Sequence, residues 1–293
     1  MSVVEELEAS LSGAAAATGS SLVRVGRDGR GLGWVTGPGL VVTSAHHLRG
    51  DEVTLTFAGG RQETGQVKGV DVEGDLAVVA AETGDAPALQ WSDSAARLGQ
   101  LAVVPGLLPA NLGARVTWGV VSAVGAAFRG PRGRLISEAF EHTAPVARGS
   151  SGGPVTDSAG RVLGINTHRP GEGFYLARTA TADLRQQVEA LGRGESPVHR
   201  RLGVALAPPR AARRLRAAVG LPDRDGLLVR DVGEGTPAAA AGVRRGDLIV
   251  AAGGQPLESL DALASALDSL GEGQGLQLTV VRGAEEVNLT VSF

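Results

Sequence analysis

Between residues 21 and about 178 the apolar residues fall in short runs, such as "SLVRV", "GLVVTSA", "EVTLTF", "DLAVVAAE", "RVTWGVVSAV" and "RVLGINT". Glycine-containing turns separate them, and the runs are rich in valine, leucine and threonine. That pattern predicts an all-β barrel or sandwich. The periodicity then changes. "TADLRQQVEALG" sets Leu184, Val188 and Leu191 at helical spacing after Thr181, with Gly192 as the expected stop. "GRGESPVHR", 192 to 200, reads as a linker. Beyond it, "TPAAAAG" predicts a short helix capped by Thr236, opened by Pro237 and closed by Gly242. "SLDALASALDSLG" predicts a second, with Ser259 as its cap and Leu260, Leu263, Leu267 and Leu270 on one face. "LQLTVVRGAEEVNLTVSF" alternates apolar and polar residues around "RGAE", as a β-hairpin does. The N-terminal "VVEELEASL" is expected to form one short amphipathic helix through Val4, Leu7 and Leu11. The resulting division is an N-terminal segment at 1–20, a β domain at 21–191, a linker at 192–200 and a small mixed domain at 201–293.

Composition narrows the chemistry. A hydrophobic fraction of 43% and a charged fraction of 20% are those of an ordinary globular chain, and a net charge of -3 argues against wholesale binding of a polyanion. The basic run "RAARRLRAA" at 210–218 is read as a solvated helix face. No run approaches a membrane span, and the start "MSVVEELEAS" is acidic where a secretory leader is basic. The chain as written is therefore expected in the cytoplasm. Without cysteine there is no disulfide and no thiolate chemistry, and without H-x-x-x-H spacing no metal or other cofactor is expected.

Three stretches carry candidate chemistry. "VVTSAHHLRG" places His46 just after a predicted strand, "DVEGDLAVV" places Asp75 at the start of another, and "VARGSSGGPV" sets Ser150 and Ser151 before a glycine pair. The chain order His, Asp, Ser is that of chymotrypsin-like barrels. Such spacing puts His46 and Asp75 in one half of a double barrel and Ser151 in the other. A serine hydroxyl is a poor nucleophile until an imidazole takes its proton, and that imidazole needs a carboxylate to fix its tautomer. Asp71 competes with Asp75, and Ser150 with Ser151. His47 is expected to face away from His46 along an extended chain and His199 to be solvated in the linker.

These stretches together resemble the HtrA (Deg) serine proteases, in which a trypsin-like domain precedes one or more PDZ domains. "TSAHH", "DLAVV" and "GSSGGP" look like the family's histidine, aspartate and nucleophile motifs, and "RLGVALA" and "GTPAAAAGVRRGDLIVAAGGQPL" extend the likeness into the second domain. The resemblance implies a mostly β fold, a chymotrypsin-like double β-barrel followed by a small α+β PDZ domain. It selects Ser151 as nucleophile, His46 as base and Asp75 as its orienter, with Gly149, Ser150 and Ser151 forming the oxyanion loop. It also implies that His142 and His168 lie near the cleft. Leu202, Gly203, Val204, Leu206, Leu263 and Leu267 are the implied peptide-binding residues of the PDZ domain. The implied partners are unfolded polypeptides and hydrophobic C-termini, in a homotrimer. Arg148 and Ser150 stand where the family carries proline and asparagine, which leaves a second reading open: a peptide-binding scaffold without catalysis.

Overall fold

The computed structural model describes residues 2–29, 31–108, 113–130, 133–271 and 273–293, without the side chains of His168 and Pro170. The chain divides into two compact units, Met1–Pro197 and Val198–Phe293.

The first unit holds two closed barrels. Strands β1 (Leu22–Val25), β2 (Gly31–Gly37), β3 (Leu40–Thr43), β4 (Glu52–Phe57), β5 (Gln62–Asp71) and β6 (Leu76–Ala80) close in the order β1-β2-β3-β6-β5-β4. Strands β7 (Leu101–Leu107), β8 (Ala114–Arg129), β9 (Leu135–His142), β10 (Pro154–Thr156), β11 (Val162–Gly171) and β12 (Phe174–Thr179) close in the order β10-β11-β12-β9-β8-β7. Closure removes the unpaired edges that a flat sheet of such short strands presents. Half of these strands lacked a clear signal in sequence. β2, "GLGWVTG", is broken by glycine, and Gly33 is needed there because a Cβ would come within 2.6 Å of the Val42 carbonyl on β3.

Two helices flank the barrels. Helix α1 spans Val3–Gly19, twice the length expected, and begins with a capping box between Ser2 and Glu5. Its contact face is Leu7, Leu11, Ala14 and Thr18 against β7 and β8, whereas Val4 is 63% exposed. The apolar run at its start therefore misled: small residues further along make the close approach. Helix α2 (Ala182–Arg193) is capped by Thr181, whose side chain accepts from Leu184 N–H, and buries Leu184, Val188 and Leu191. It runs through Gly192 and ends at Gly194, which takes the left-handed conformation at φ 90°. These residues join Leu22, Trp34, Val42, Leu76 and Val78 in one core.

The second unit is a sheet in the order β13-β14-β15-β17-β18, formed by Val204–Ala207, Leu227–Val232, Leu248–Ala252, Leu276–Arg282 and Glu285–Val291, with β16 (Gln255–Pro256) paired to β15. Helices α3 (Pro209–Ala217), α4 (Pro237–Ala240) and α5 (Leu260–Asp268) complete it. Thr236 and Ser259 cap α4 and α5 as their positions predict. The C-terminal hairpin turns between Arg282 and Glu285. Leu260 is 42% exposed, so the predicted apolar face of α5 begins at Leu263. In the basic run, α3 buries Ala212 and Arg216, whose Nε donates to the Pro222 carbonyl, so the run is not wholly solvated.

Candidate functional site

The histidine and aspartate meet at the end of the first barrel. His46 lies in a single 3-10 turn, Ala45–His47, that follows β3. Asp75 ends the tight loop between β5 and β6, with φ at 53°, the one non-glycine residue at positive φ among the described residues. The imidazole Nδ1 of His46 lies 2.9 and 2.8 Å from the two Asp75 carboxylate oxygens, and the His46 backbone N–H donates to Oδ1 at 3.0 Å. A carboxylate that holds both the ring and the backbone of a histidine fixes the tautomer with Nδ1 protonated and leaves Nε2 as a base. The Asp75 side chain is 5% exposed and that of His46 41%, so the ring reaches from a dry anchor toward solvent.

Asp71, the competing carboxylate, has a different task. Its Oδ1 accepts from the backbone N–H groups of Glu73 and Gly74, closing the loop that carries Asp75.

Ser151 sits on two consecutive turns of the second barrel. Ser150 N–H donates to the Ala147 carbonyl at 3.3 Å, and Gly153 N–H to the Ser150 carbonyl at 3.0 Å. Gly149 at φ 81° and Gly152 at φ 80° occupy the third position of each, where a type II turn demands positive φ. The dipeptides Arg148-Gly149 and Ser151-Gly152 thus encode the turns. Gly152 has a second reason to be glycine: a Cβ would lie 2.5 Å from Leu32 O and from Ser44 N, next to the histidine turn. The Ser150 N–H is used within the turn, so Ser150 shapes the loop through its backbone and does not offer that N–H to a ligand. Gly149 and Ser151 N–H have no internal acceptor among the described residues.

The two barrels are joined at this point. Ser151 carbonyl accepts from Leu32 N–H at 3.3 Å and lies 3.1 Å from His47 Nε2. His47 therefore does not face away from the site as an extended chain predicts. The 3-10 turn sets its ring 4.1 Å from that of His46, and burial together with the neighbouring His46 lowers its pKa. The Ser151 hydroxyl donates to the Thr167 carbonyl at 3.3 Å, not to His46.

Beside Ser151 lies a cavity of about 150 Å³ lined by residues 146–151, Asn166, Thr167, Arg169 and Tyr175. None of these carries a carboxylate. The Arg169 guanidinium sits over the Tyr175 ring. Behind the lining, His142 is fully buried, stacks on Tyr175, and pairs its Nε2 with Asn166 Oδ1 at 3.0 Å. Burial lowers its pKa to about 4, opposed by the Asn166 hydrogen bond and by the nearby Glu141 charge. The ring is thus part of the wall. Its folded pKa lies below the ordinary 6.5, so it contributes stability that is fully present above pH 6.5 and is lost as pH falls toward 4, in all about 3 kcal/mol. Urea unfolding between pH 7 and 4 is expected to lose this part of its slope in His142→Phe, while the part due to His47 remains. An unchanged slope would contradict the assignment. The side chain of His168 lies outside the described residues. His199 is not solvated in a linker as expected; its Nδ1 lies 3.5 Å from Asp268 in the second unit.

In the second unit, Leu202, Leu263 and Leu267 are each less than 8% exposed and belong to the core, while Val204 and Leu206 are half-buried against it. Gly203, at φ 79°, has no room for a Cβ beside Thr236. The carbonyls of Leu202 and Gly203 accept from Ala238 and Gly233 N–H, fixing the loop that leads into β13. Among the described residues β13 pairs with β14 alone and so offers its other edge.

Two six-stranded barrels with a His–Asp pair at their junction and a serine turn docked against it define a chymotrypsin-like serine protease. The model of the trypsin-like peptidase domain matches residues 31–165 and that of the PDZ domain residues 201–293. A putative serine protease, HhoA, of Synechocystis sp. is 32% identical over 277 residues, covering 90% of this chain and 70% of its own. A probable periplasmic serine endoprotease, DegP-like, of Halomonas elongata is 30% identical over 87% of this chain, which spans 54% of that relative. The HtrA-type protease AlgW, solved with a decapeptide, superposes with a TM-score of 0.75 at 22% identity, covering 96% of this chain and 97% of that one. The chain belongs to the HtrA/Deg family and is a serine endopeptidase with a C-terminal PDZ domain.

Proposed function

We propose that the chain cleaves unfolded polypeptides through an acyl-enzyme formed on Ser151. The observation that carries this reading is the double contact of Asp75 with the ring and backbone of His46, placed where His47 and Leu32 bind the Ser151 carbonyl. Rotation of the Ser151 side chain away from Thr167 brings its hydroxyl to His46, which takes the proton as Oγ attacks the peptide carbonyl. His46 then returns that proton to the leaving amine, and a water repeats the sequence to release the acid. Gly149 and Ser151 N–H groups stabilise the oxyanion, where loss of one donor costs roughly 10²- to 10³-fold.

The cavity beside Ser151 takes the side chain that precedes the cut. Its walls lack the carboxylate that selects lysine or arginine, and Val146, Ala147 and the Tyr175 ring give it apolar surface. Small aliphatic residues are the preference that this apolar lining supports. A peptide-library profile with alanine, valine and leucine before the cut supports this, and one dominated by basic residues overturns it.

The PDZ domain binds hydrophobic C-termini by adding a strand to the open edge of β13, with Val204 and Leu206 at its pocket. Leu202, Leu263 and Leu267 back that pocket from the core. Assembly as a homotrimer is carried with the family and is read by light scattering.

A further inference from the structure

Arg178 on β12 is a charged side chain that the mechanism above does not use. It belongs to the second barrel but reaches into the first, where its Nη1 donates to the Gly74 carbonyl at 3.0 Å and its Nη2 to Gln187 Oε1 at 2.9 Å. Gln187, on α2, passes the contact on: its Nε2 donates to Asp71 Oδ2 at 2.5 Å. Asp71 in turn closes the loop through the Glu73 and Gly74 N–H groups. Gly74 immediately precedes Asp75, and a Cβ there would come within 2.1 Å of Asp71 Oδ2 and 3.3 Å of Arg178 Nη1. The ring Arg178, Gln187, Asp71, Gly74 therefore grips the one backbone unit on which the left-handed conformation of Asp75 depends. Arg178 also interacts electrostatically with Asp71, Asp75 and Glu138.

We propose that Arg178 is a positioning residue for the His46–Asp75 pair, clamping the Gly74 carbonyl from the second barrel so that the Asp75 carboxylate stays aimed at His46, and placing a fixed cation behind that carboxylate. The inference rests on the reading of His46 as the catalytic base. Serine, histidine and aspartate come from two barrels, and Arg178 ties the barrels on the aspartate side as the His47 contact with Ser151 ties them on the serine side.

The test uses the full chain with Arg178→Met and Arg178→Lys. The groups facing the pair are His47 on its own turn, Asp71 and Arg178 behind Asp75, Glu138 beyond Arg178, and the Glu73–Arg134 ion pair on the same loop. Loss of the cation leaves the Asp75 charge less compensated, which favours the imidazolium beside it. The acid limb of the kcat/KM profile in Arg178→Met is expected to move to higher pH by roughly half a unit or more. kcat is expected to fall by about 10- to 100-fold with little change in KM, as a misaimed carboxylate predicts. Arg178→Lys keeps the charge but not the two-donor clamp, so it is expected to restore the acid limb and not the full kcat. The downfield proton resonance of His46 Nδ1 reads the same geometry without substrate, and is expected to shift or broaden in Arg178→Met.

A variant with lowered activity but an unmoved acid limb and an unmoved downfield proton would overturn the proposal, as would one that behaves like the parent. Should Arg178→Met lose its cooperative melt, Gln187→Met, which frees the guanidinium without removing it, is expected to broaden the same resonance, and an unchanged resonance there counts against the proposal. A parent chain that shows the downfield proton but takes no fluorophosphonate label refutes the catalytic reading instead, so the two failures are distinct.

Discussion

Ser151→Ala is expected to lower kcat/KM on an unfolded protein substrate by about 10⁴- to 10⁶-fold, the loss found when the nucleophile of a serine protease is removed. The variant deletes one oxygen whose one internal bond among the described residues is the 3.3 Å contact with the Thr167 carbonyl. Folding stability is therefore expected to stay within about 1 kcal/mol of the parent. Ser150→Ala provides the control. The Ser150 backbone makes the turn bonds to Ala147 and Gly153, and alanine keeps both, so most of the activity is expected to survive. Comparison of the two variants in one cleavage assay, with thermal melts alongside, decides which of the adjacent serines carries the reaction.

Asp75→Asn is the second large effect, expected at about 10⁴-fold in kcat. Asparagine is among the few residues that tolerate positive φ, so the substitution leaves the backbone at φ 53° without added strain. What it removes is charge and acceptor capacity. The two acceptor oxygens that now hold His46 Nδ1 and the His46 N–H become one oxygen and one amide. An amide nitrogen facing Nδ1 selects the opposite tautomer, which puts a proton on the Nε2 needed as base. Asp75→Ala adds a backbone cost of roughly 1–2 kcal/mol on top, because alanine meets the left-handed region with a Cβ clash. Activity and urea midpoints measured on both variants separate the electrostatic loss from the conformational one. Equal stability in Asp75→Ala and Asp75→Asn would contradict the strain argument.

The parts of the fold that could be read in sequence are those in which one local rule decides. Thr181, Thr236 and Ser259 cap the helices that follow them, since a side-chain oxygen two or three residues ahead of free N–H groups is enough. His46, Asp75 and Ser151 were legible because each sits in a motif with a fixed neighbourhood. The misses have tertiary causes. Gly192 read as a stop, yet α2 continues through it and ends at the left-handed Gly194. His47 read as turned away because the strand was extended by two residues too many; the 3-10 turn reverses that sense. Leu202, Leu263 and Leu267, which the resemblance places at the peptide pocket, are buried in the core of the small domain, a duty that apolar spacing alone does not separate from lining a pocket. Arg178 left no signal, since only the closure of the second barrel against α2 and the Asp71 loop brings it near Asp75.

The central claim is that Ser151 is an activated nucleophile with a formed oxyanion loop. A fluorophosphonate probe applied to the purified chain, with and without a hydrophobic C-terminal peptide, tests it in one step when mass spectrometry locates the adduct. Labelling at Ser151 that disappears in Ser151→Ala and falls steeply in Asp75→Asn is the predicted result. Labelling at Ser150, or none at any serine in either condition, contradicts the account.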